Sequence, residues 1–259
     1  MAETESPAQP HEVDEDEDAD IIHRYNPSAL DVTERFWRDL QPWLEECGYL
    51  LRPRYRPGWI PSWIGTNKRW FDCEDAFTRE TRVLDATRIS DGAIVSLKRV
   101  GKDGDTESKE VDIAQLFSSE ALAKDKRNHC APVYDVLKVP GKTILAMPLL
   151  REHDNPRQHT IWEAVEFFRQ IFQGLSFMHE QHVAHRDCKS DNITMDPKPL
   201  YPVMYHPAED DIKSDFSGRA KRFTRTSHPV KYYLIDFELS RMYDPNGPPP
   251  LETKFIAYP

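Results

Sequence analysis

One short stretch of the chain combines residues whose types and spacing suit a specific chemistry. Residues 185–192 read H-R-D-C-K-S-D-N, which puts an aspartate, a lysine and an asparagine on one loop. Further along, the apolar stretch Tyr232–Ile235 ends in Asp236 and Phe237. Phosphoryl transfer requires such a set: one Asp takes the proton of the attacking hydroxyl, a Lys steadies the moving phosphoryl group, and an Asn and a second Asp hold Mg²⁺. The alternative is a polar loop that only caps the preceding helix.

A helix predicted over residues 160–180 delivers the chain into this loop. Apolar residues recur along it at helical spacing, and we expect this stripe to face the core; it consists of Val165, Phe168, Phe172, Leu175 and Met178. His185 is expected to pack and hydrogen-bond so that it braces the loop, without taking part in acid–base chemistry.

Upstream, a predicted hairpin carries a lysine that suits a phosphate site. Residues 81–89 and 93–100 read as strands, and Asp91-Gly92 between them is a strong turn signal. Lys98 lies on the second strand. A helix predicted over 106–118 offers Glu110 as its ion-pair partner, because a desolvated lysine needs an opposite charge to stay protonated. Asp112 and Glu107 remain alternatives for this partner.

The start of the chain differs in composition from the rest. Residues 1–20 carry nine acids and no Lys or Arg, which predicts a disordered acidic tail over 1–22. A helix is predicted over 27–50, opened by Asn26-Pro27-Ser28. The segment 52–63 holds three prolines and two tryptophans. It is therefore predicted to be extended, without a regular element and with its aromatic rings buried.

Composition narrows the classes of function. The net charge is −10, but beyond residue 20 the acids number 35 and the bases 34, so nothing global indicates nucleic acid or a membrane as a partner. No apolar run is long enough for a membrane span. The four cysteines lie far apart and predict neither a zinc site nor a disulfide scaffold. A reduced, intracellular location, cytoplasmic or nuclear, fits best.

These motifs resemble the eukaryotic protein kinase superfamily, over roughly residues 80–243. H-R-D-x-K-x-x-N looks like the catalytic loop, and Val95-Ser96-Leu97-Lys98 resembles the V-A-I-K strand. The stretches 48–59 and 192–202 are similar to kinase-like proteins of expanded fungal families.

The resemblance implies a role for each matching residue. Asp187 corresponds to the catalytic base, and Lys189 to the lysine that neutralises the phosphoryl group. Asn192 and Asp236 match the metal ligands. Lys98 matches the phosphate lysine and Glu110 its helix partner. The hinge that pairs with adenine falls at Met147, Leu149 and Leu150, and Pro148 has no N–H to offer there.

Three departures from the family pattern stand out. Residues 80–91 contain no glycine, so no G-x-G-x-x-G cradle precedes the lysine. Glu238 stands where the glycine after Asp-Phe is expected, which stiffens the backbone and puts a carboxylate beside triphosphate. The sequence stops at Pro259, before the A-P-E segment and the large supporting helices. We therefore expect either a truncated gene product or a partner that covers the exposed surface.

The sequence as a whole predicts a two-lobed α+β kinase-like fold, with an antiparallel-sheet N-lobe and a partial, mostly helical C-lobe. The predicted parts are the tail at 1–22, an N-terminal extension at 23–79, the N-lobe at 80–150 and the partial C-lobe at 151–259. An insertion at about 197–231 reads as a solvated loop, with a phosphate-binding patch as the alternative.

Three functions compete on this sequence. The first is phosphoryl transfer from Mg-ATP to a Ser or Thr of a protein. The second is a pseudokinase scaffold that presents an interaction surface to a protein partner. A small-molecule kinase is the weaker third.

Overall fold

The computed structural model describes residues 27–76, 78, 82–101, 109–139 and 141–247. The predicted acidic tail and Glu107 lie outside these residues. The chain divides into two compact units, Met1–Thr81 and Arg82–Pro259.

The first unit is built on one helix, α1 (Val32–Glu46), followed by the short strand β1 (Tyr49–Leu51). Single turns of 3-10 helix follow at Pro53–Tyr55, Trp70–Asp72 and Glu74–Ala76. The first of these turns corrects the prediction of no regular element over 52–63. The prediction of buried aromatic rings is confirmed for Tyr55, which has zero exposure, but not for Trp59 and Trp63, which are only partly buried.

Helix α1 begins later than the sequence predicts, because Asp31 supplies its cap. The Asp31 carboxylate accepts a hydrogen bond from the Glu34 amide at 2.6 Å, and the Glu34 carboxylate accepts one from the Asp31 amide at 3.0 Å. This reciprocal capping box satisfies donors that the first helical turn leaves without intrahelical partners. The helix predicted from residue 27 therefore starts only at Val32.

A fully buried ion pair joins α1 to the segment that follows it. The Arg54 guanidinium donates to both carboxylate oxygens of Glu34, at 2.7 and 3.1 Å, and both side chains have zero exposure. Its remaining N–H groups donate to the carbonyl oxygens of Pro27, Ala29 and Asp75. All five guanidinium donors thus have an acceptor, which is the condition under which a buried charge is tolerated.

Four strands of the second unit form an antiparallel sheet in the order β2–β3–β5–β4. Their bounds are Val83–Arg88 for β2, Ile94–Val100 for β3, Asp135–Val139 for β4 and Lys142–Pro148 for β5. The predicted hairpin is confirmed: β2 pairs with β3, and Gly92 in the turn has a φ of 70°, which glycine adopts without a Cβ penalty.

Helices and short strands complete the second unit. Between β3 and β4 lie α2 (Lys109–Ser118) and the single turn α3 (Glu120–Ala123), and the long helix α4 covers Ile161–Glu180. A three-stranded sheet has the order β11–β8–β6, β12 pairs with β7 and β10 pairs with β9. The bounds of these strands are β6 Arg151–Glu152, β7 Val183–Ala184, β8 Ile193–Met195, β9 Tyr205–His206, β10 Glu209–Lys213, β11 Tyr232–Leu234 and β12 Arg241–Met242.

Helix α4 lies where it was predicted but presents a different face to the core. Val165, Phe168 and Phe172 are 49%, 54% and 65% exposed, so the prediction that they pack inward is wrong. The buried face carries Phe167, Gln170, Ile171, Gly174, Phe177 and Met178. A polar anchor explains the difference. The Gln170 amide donates to the Val230 carbonyl at 3.0 Å and accepts from the Tyr232 amide at 2.9 Å, and an apolar count along the helix ignores this residue.

Gly174 on α4 allows the helix to approach the chain at His129, and this makes it a site for a test. A Cβ on Gly174 would lie 2.6 Å from the Cβ of His129. The backbone there is held, because the His129 carbonyl accepts from Leu234 N at 2.7 Å. We expect Gly174→Ala to lower the free energy of unfolding by about 1–3 kcal/mol through overpacking, as measured by urea unfolding. Ser176→Ala, on the exposed side of the same helix, should stay within about 0.5 kcal/mol; an equal effect of both would contradict this explanation.

The segment 197–231 is packed, so the prediction of a solvated loop is wrong. Leu200 and Tyr205 are 0% and 2% exposed, and β9 and β10 form a ribbon within the segment. Arg225 is buried as well, and it donates to the carbonyl oxygens of His153 and Pro156 at 2.7 and 2.5 Å. The segment is thus fastened to the loop that precedes α4.

Two further observations concern the part of the chain that the structure describes, one on membrane-spanning helices and one on its cysteines. None of its helices has the length and apolar character that a bilayer span needs. The four cysteines are free thiols.

Candidate active site

The ring of His185 connects the H-R-D loop to the end of β11. Its Nδ1 accepts a hydrogen bond from the Asp187 amide at 3.3 Å, so Nε2 carries the proton and donates to the Ile235 carbonyl at 3.1 Å. Burial lowers the pKa of His185, which keeps the ring neutral, as this pattern requires. The prediction that His185 braces the loop is confirmed. The ring thereby links the backbone of Asp187 to Ile235, the residue that precedes Asp236.

Asn192 fixes the carboxylate of Asp187. The Asn192 side-chain amide donates to Asp187 Oδ2 at 2.7 Å and to the Asp187 carbonyl at 2.9 Å. Asn192 is buried at the end of a 3-10 turn (Ser190–Asn192), and its own carbonyl accepts from Ile235 N at 3.0 Å. Lys189 Nζ lies 3.4 Å from the same Asp187 oxygen. Three predicted site residues therefore meet at the carboxylate of Asp187.

Lys98 is held between two carboxylates from distant parts of the chain. Its Nζ lies 2.5 Å from Glu110 Oε1 and 2.7 Å from Asp236 Oδ1. Glu110 comes from α2, where it is 5% exposed, so the predicted pairing of Lys98 with Glu110 matches the geometry. The alternative Asp112 is exposed on the same helix. The structure thus joins β3, α2 and the end of β11 through one ammonium group.

The charges of Lys98 and Asp236 stabilise each other. Burial alone would lower the pKa of Lys98, but Glu110 and Asp236 outweigh it and raise that pKa, so the lysine stays protonated. Burial would raise the pKa of Asp236, and the hydrogen bond and charge of Lys98 lower it below its usual range. Both groups are therefore charged at neutral pH.

Left-handed backbone marks both loops. Arg186 and Asp236 have φ angles of 67° and 64°, which cost free energy for residues with a Cβ. Phe237, 3% exposed, anchors the second of these positions by packing against Phe117 and His185, with ring centroids 6.3 and 5.6 Å apart.

The predicted hinge begins at Met147 near the end of β5 and continues beyond that strand. Leu149 is buried, while Met147 and Leu150 are partly exposed. Within the described ranges, the backbone amides of Leu149 and Leu150 donate to no protein acceptor. These amides are available to a ligand with ring acceptors such as adenine.

The residues present suit a hard divalent cation. Asn192 uses its NH₂ group on Asp187, which leaves its side-chain oxygen as an acceptor, and Asp236 has one carboxylate oxygen on Lys98. Amide and carboxylate oxygens are the donors that Mg²⁺ prefers. No group of three or more His, Cys, Asp or Glu suited to a metal occurs among the described residues, so the fit rests on these two oxygens and on what a bound phosphate adds.

Glu238 fits its position without backbone strain. It is exposed, and the left-handed non-glycine residues of the described chain do not include it. Besides burial, the negative charge of Glu238 does raise the pKa of Glu110. The departure from glycine therefore costs no local conformational energy in this state.

Residues that sequence reasoning missed support both loops. Ser240, 2% exposed, donates its hydroxyl to the His185 carbonyl at 2.9 Å, and Arg186 donates to the Leu239 carbonyl at 3.2 Å. No pattern in the sequence distinguishes this serine, because its role depends on a contact between distant loops.

Comparison with known proteins agrees with this geometry. The model of the protein kinase domain matches residues 79–247, which is more than half of the chain. The chain belongs to the protein kinase family. The predicted α+β kinase fold is thereby confirmed, and kinase domains in general use ATP with a divalent metal.

Similar kinases match only in part. Serine/threonine-protein kinase CAK1 of Saccharomyces cerevisiae is 33% identical over 91 residues, which are 34% of this chain and 24% of that protein. NUAK family SNF1-like kinase 2 of Homo sapiens is 28% identical over 116 residues, 42% of this chain and 18% of that protein. Myosin light chain kinase 2 of Bos taurus is 26% identical over 168 residues, 62% and 21% respectively. The chain therefore spans less than a quarter of the length of these relatives.

Proposed function

We propose that this kinase domain transfers a phosphoryl group from Mg-ATP to a serine or threonine of a protein. The observation that carries the proposal is the position of Lys98, which bridges Glu110 and Asp236 while His185 ties the strand of Asp236 to Asp187. The relative named serine/threonine-protein kinase CAK1 supports the class of acceptor.

Each residue has a role in this proposal. Asp187, aimed by Asn192, accepts the proton of the acceptor hydroxyl, and Lys189 offsets charge on the transferred group. Lys98 binds the phosphates and is itself positioned by Glu110. The backbone at Leu149 and Leu150, with Met147 beside it, binds adenine. Asn192 and Asp236 would hold Mg²⁺, which neutralises phosphate charge when bound.

Binding of nucleotide can be tested apart from catalysis. Mg-ATP at about 100 times its Kd should stabilise the folded chain by about 2.7 kcal/mol and raise Tm by several degrees, measured by thermal unfolding. Lys98→Met should abolish most of this increase, because it removes the cation that meets the phosphates. Asp187→Asn should retain the increase, since Asp187 contacts the acceptor side. An equal increase in the Lys98→Met variant would contradict the assignment of the phosphate lysine.

One observation favours a pseudokinase scaffold as the second candidate. Residues 80–91 have no glycine, and the β2–β3 turn is closed by an Arg88–Asp91 ion pair at 2.7 Å rather than by an open glycine loop. A nucleotide-induced rise in Tm without any transfer of ³²P to a general protein substrate would favour the scaffold. Transfer that depends on Asp187 would favour the kinase.

A further inference from the structure

A cleft beside α4 lies apart from the residues around Lys98. Its volume is about 490 Å³, and its lining includes the side chains of Lys126, Arg169 and Lys231. His129 and Gln173 also line it, and no Asp or Glu is among the lining residues. The cleft is therefore basic in a chain whose net charge is −10.

The two lysines of this cleft have no neutralising partner in the described part of the chain. Lys126 is exposed, and Lys231 lies over the ring of Tyr233 at 5.2 Å. Burial lowers the pKa of Lys231, and Asp125, whose charge reaches it, is bonded to Arg127 at 3.0 Å. An anion in the cleft would offset this desolvation cost.

The remaining lining residues are already organised. Arg169 donates to both oxygens of Glu166, at 2.6 and 2.7 Å, and to Gln173 Oε1 at 3.1 Å. Arg169 is thus neutralised and held in place, and the Gln173 oxygen is occupied. His129 at the base is fixed by its hydrogen bond to the Tyr232 carbonyl at 2.8 Å.

The cleft lies beside two segments of the chain that are connected to the candidate active site. Lys126 lies just beyond α3, and α3 directly follows α2, the helix that carries Glu110. Lys231 immediately precedes β11, which leads to Asp236. The two segments are joined by the Ala131 N–Leu234 O hydrogen bond at 3.0 Å and its reciprocal between Leu234 N and His129 O.

We propose that this cleft binds a phosphoryl group through Lys126 and Lys231. A doubly charged phosphate matches two unpaired ammonium groups, and lysine is a common point-charge binder of phosphate. The group belongs either to a small phosphate compound or to a phosphorylated side chain, since both present the same oxygens. The site does not depend on the kinase activity proposed above.

Isothermal titration calorimetry on the full chain tests the site. One arm uses inorganic pyrophosphate, and the other uses a phosphoserine peptide with its unphosphorylated form as a control. The Lys126→Ala/Lys231→Met double variant, which keeps an apolar stem over Tyr233, should lose at least ten-fold in affinity for whichever probe binds. Lys124→Ala should bind as the native chain does, because Lys124 is an exposed lysine that does not line the cleft and is already paired with Glu120 at 3.1 Å.

The two probes distinguish a small phosphate ligand from a phosphorylated protein. Binding of pyrophosphate alone supports a small ligand, and binding of the phosphopeptide but not of its unphosphorylated form supports a phosphorylated protein. Binding that the double variant retains in full places the ligand elsewhere and overturns the proposal. Absence of binding by both probes at millimolar concentration also overturns it.

Discussion

Replacing Asp187 with asparagine should reduce phosphoryl transfer by on the order of 10²–10⁴-fold, the contribution of a well-placed general base. An asparagine side-chain oxygen can still accept the hydrogen bond that Asn192 donates to Asp187 Oδ2 at 2.7 Å. The loop should therefore keep its geometry while the group that takes the proton is lost. The measurement is ³²P transfer to a general protein substrate at saturating Mg-ATP.

A matched control lies on the same loop. Asp191 is exposed and takes no part in the hydrogen bonds around Asp187, so Asp191→Asn makes the same chemical change away from the proposed chemistry. It should transfer phosphate within a few-fold of the native rate. Equal rates for native chain, Asp187→Asn and Asp191→Asn would show that the transfer does not use this loop.

The second large effect is on stability. Glu34→Ala should lower the free energy of unfolding by about 3–5 kcal/mol, because it leaves the Arg54 guanidinium charged, buried and without its carboxylate. With a typical urea dependence this lowers the midpoint by roughly 2 M. Tryptophan fluorescence suits the measurement, because five of the six tryptophans precede residue 82.

Two further variants separate the buried pair from a general loss of charge. Arg38→Met removes an exposed pair with Asp39, and should cost less than about 1 kcal/mol. The double variant Glu34→Leu/Arg54→Met should be less destabilised than Glu34→Ala, because no buried charge then lacks a partner. A Glu34→Ala midpoint equal to that of Arg38→Met would show that the buried pair contributes little.

Much of the candidate site followed from residue type and spacing. Asp187, Lys189 and Asn192 are close in sequence, so a single loop brings them together. The pairing of Lys98 with Glu110 followed from the need of a desolvated lysine for a carboxylate. Spacing did not predict the contacts that join these residues into one site. Lys98 also binds Asp236, and Ser240 holds the His185 carbonyl, and both contacts depend on the tertiary path of the chain.

The errors in the predicted fold have identifiable causes. A count of hydrophobic residues along α4 places the apolar stripe inward, whereas Gln170 and Gly174 determine which face packs. The charge of segment 197–231 favours a solvated loop, although Tyr201, Tyr205 and Arg225 are buried. In α4 and in segment 197–231, the packing is determined by a polar or small residue with a specific partner, and the average composition of the segment does not show this.

The left-handed backbone at Arg186 and Asp236 has an evolutionary consequence. Glycine would relieve about 1 kcal/mol or more of backbone strain at either position. The side chains at these two places make contacts that a glycine could not make, Arg186 with the Leu239 carbonyl and Asp236 with Lys98. Lineages that lose the need for these charges should therefore drift first at these two positions, before the apolar core beneath them changes.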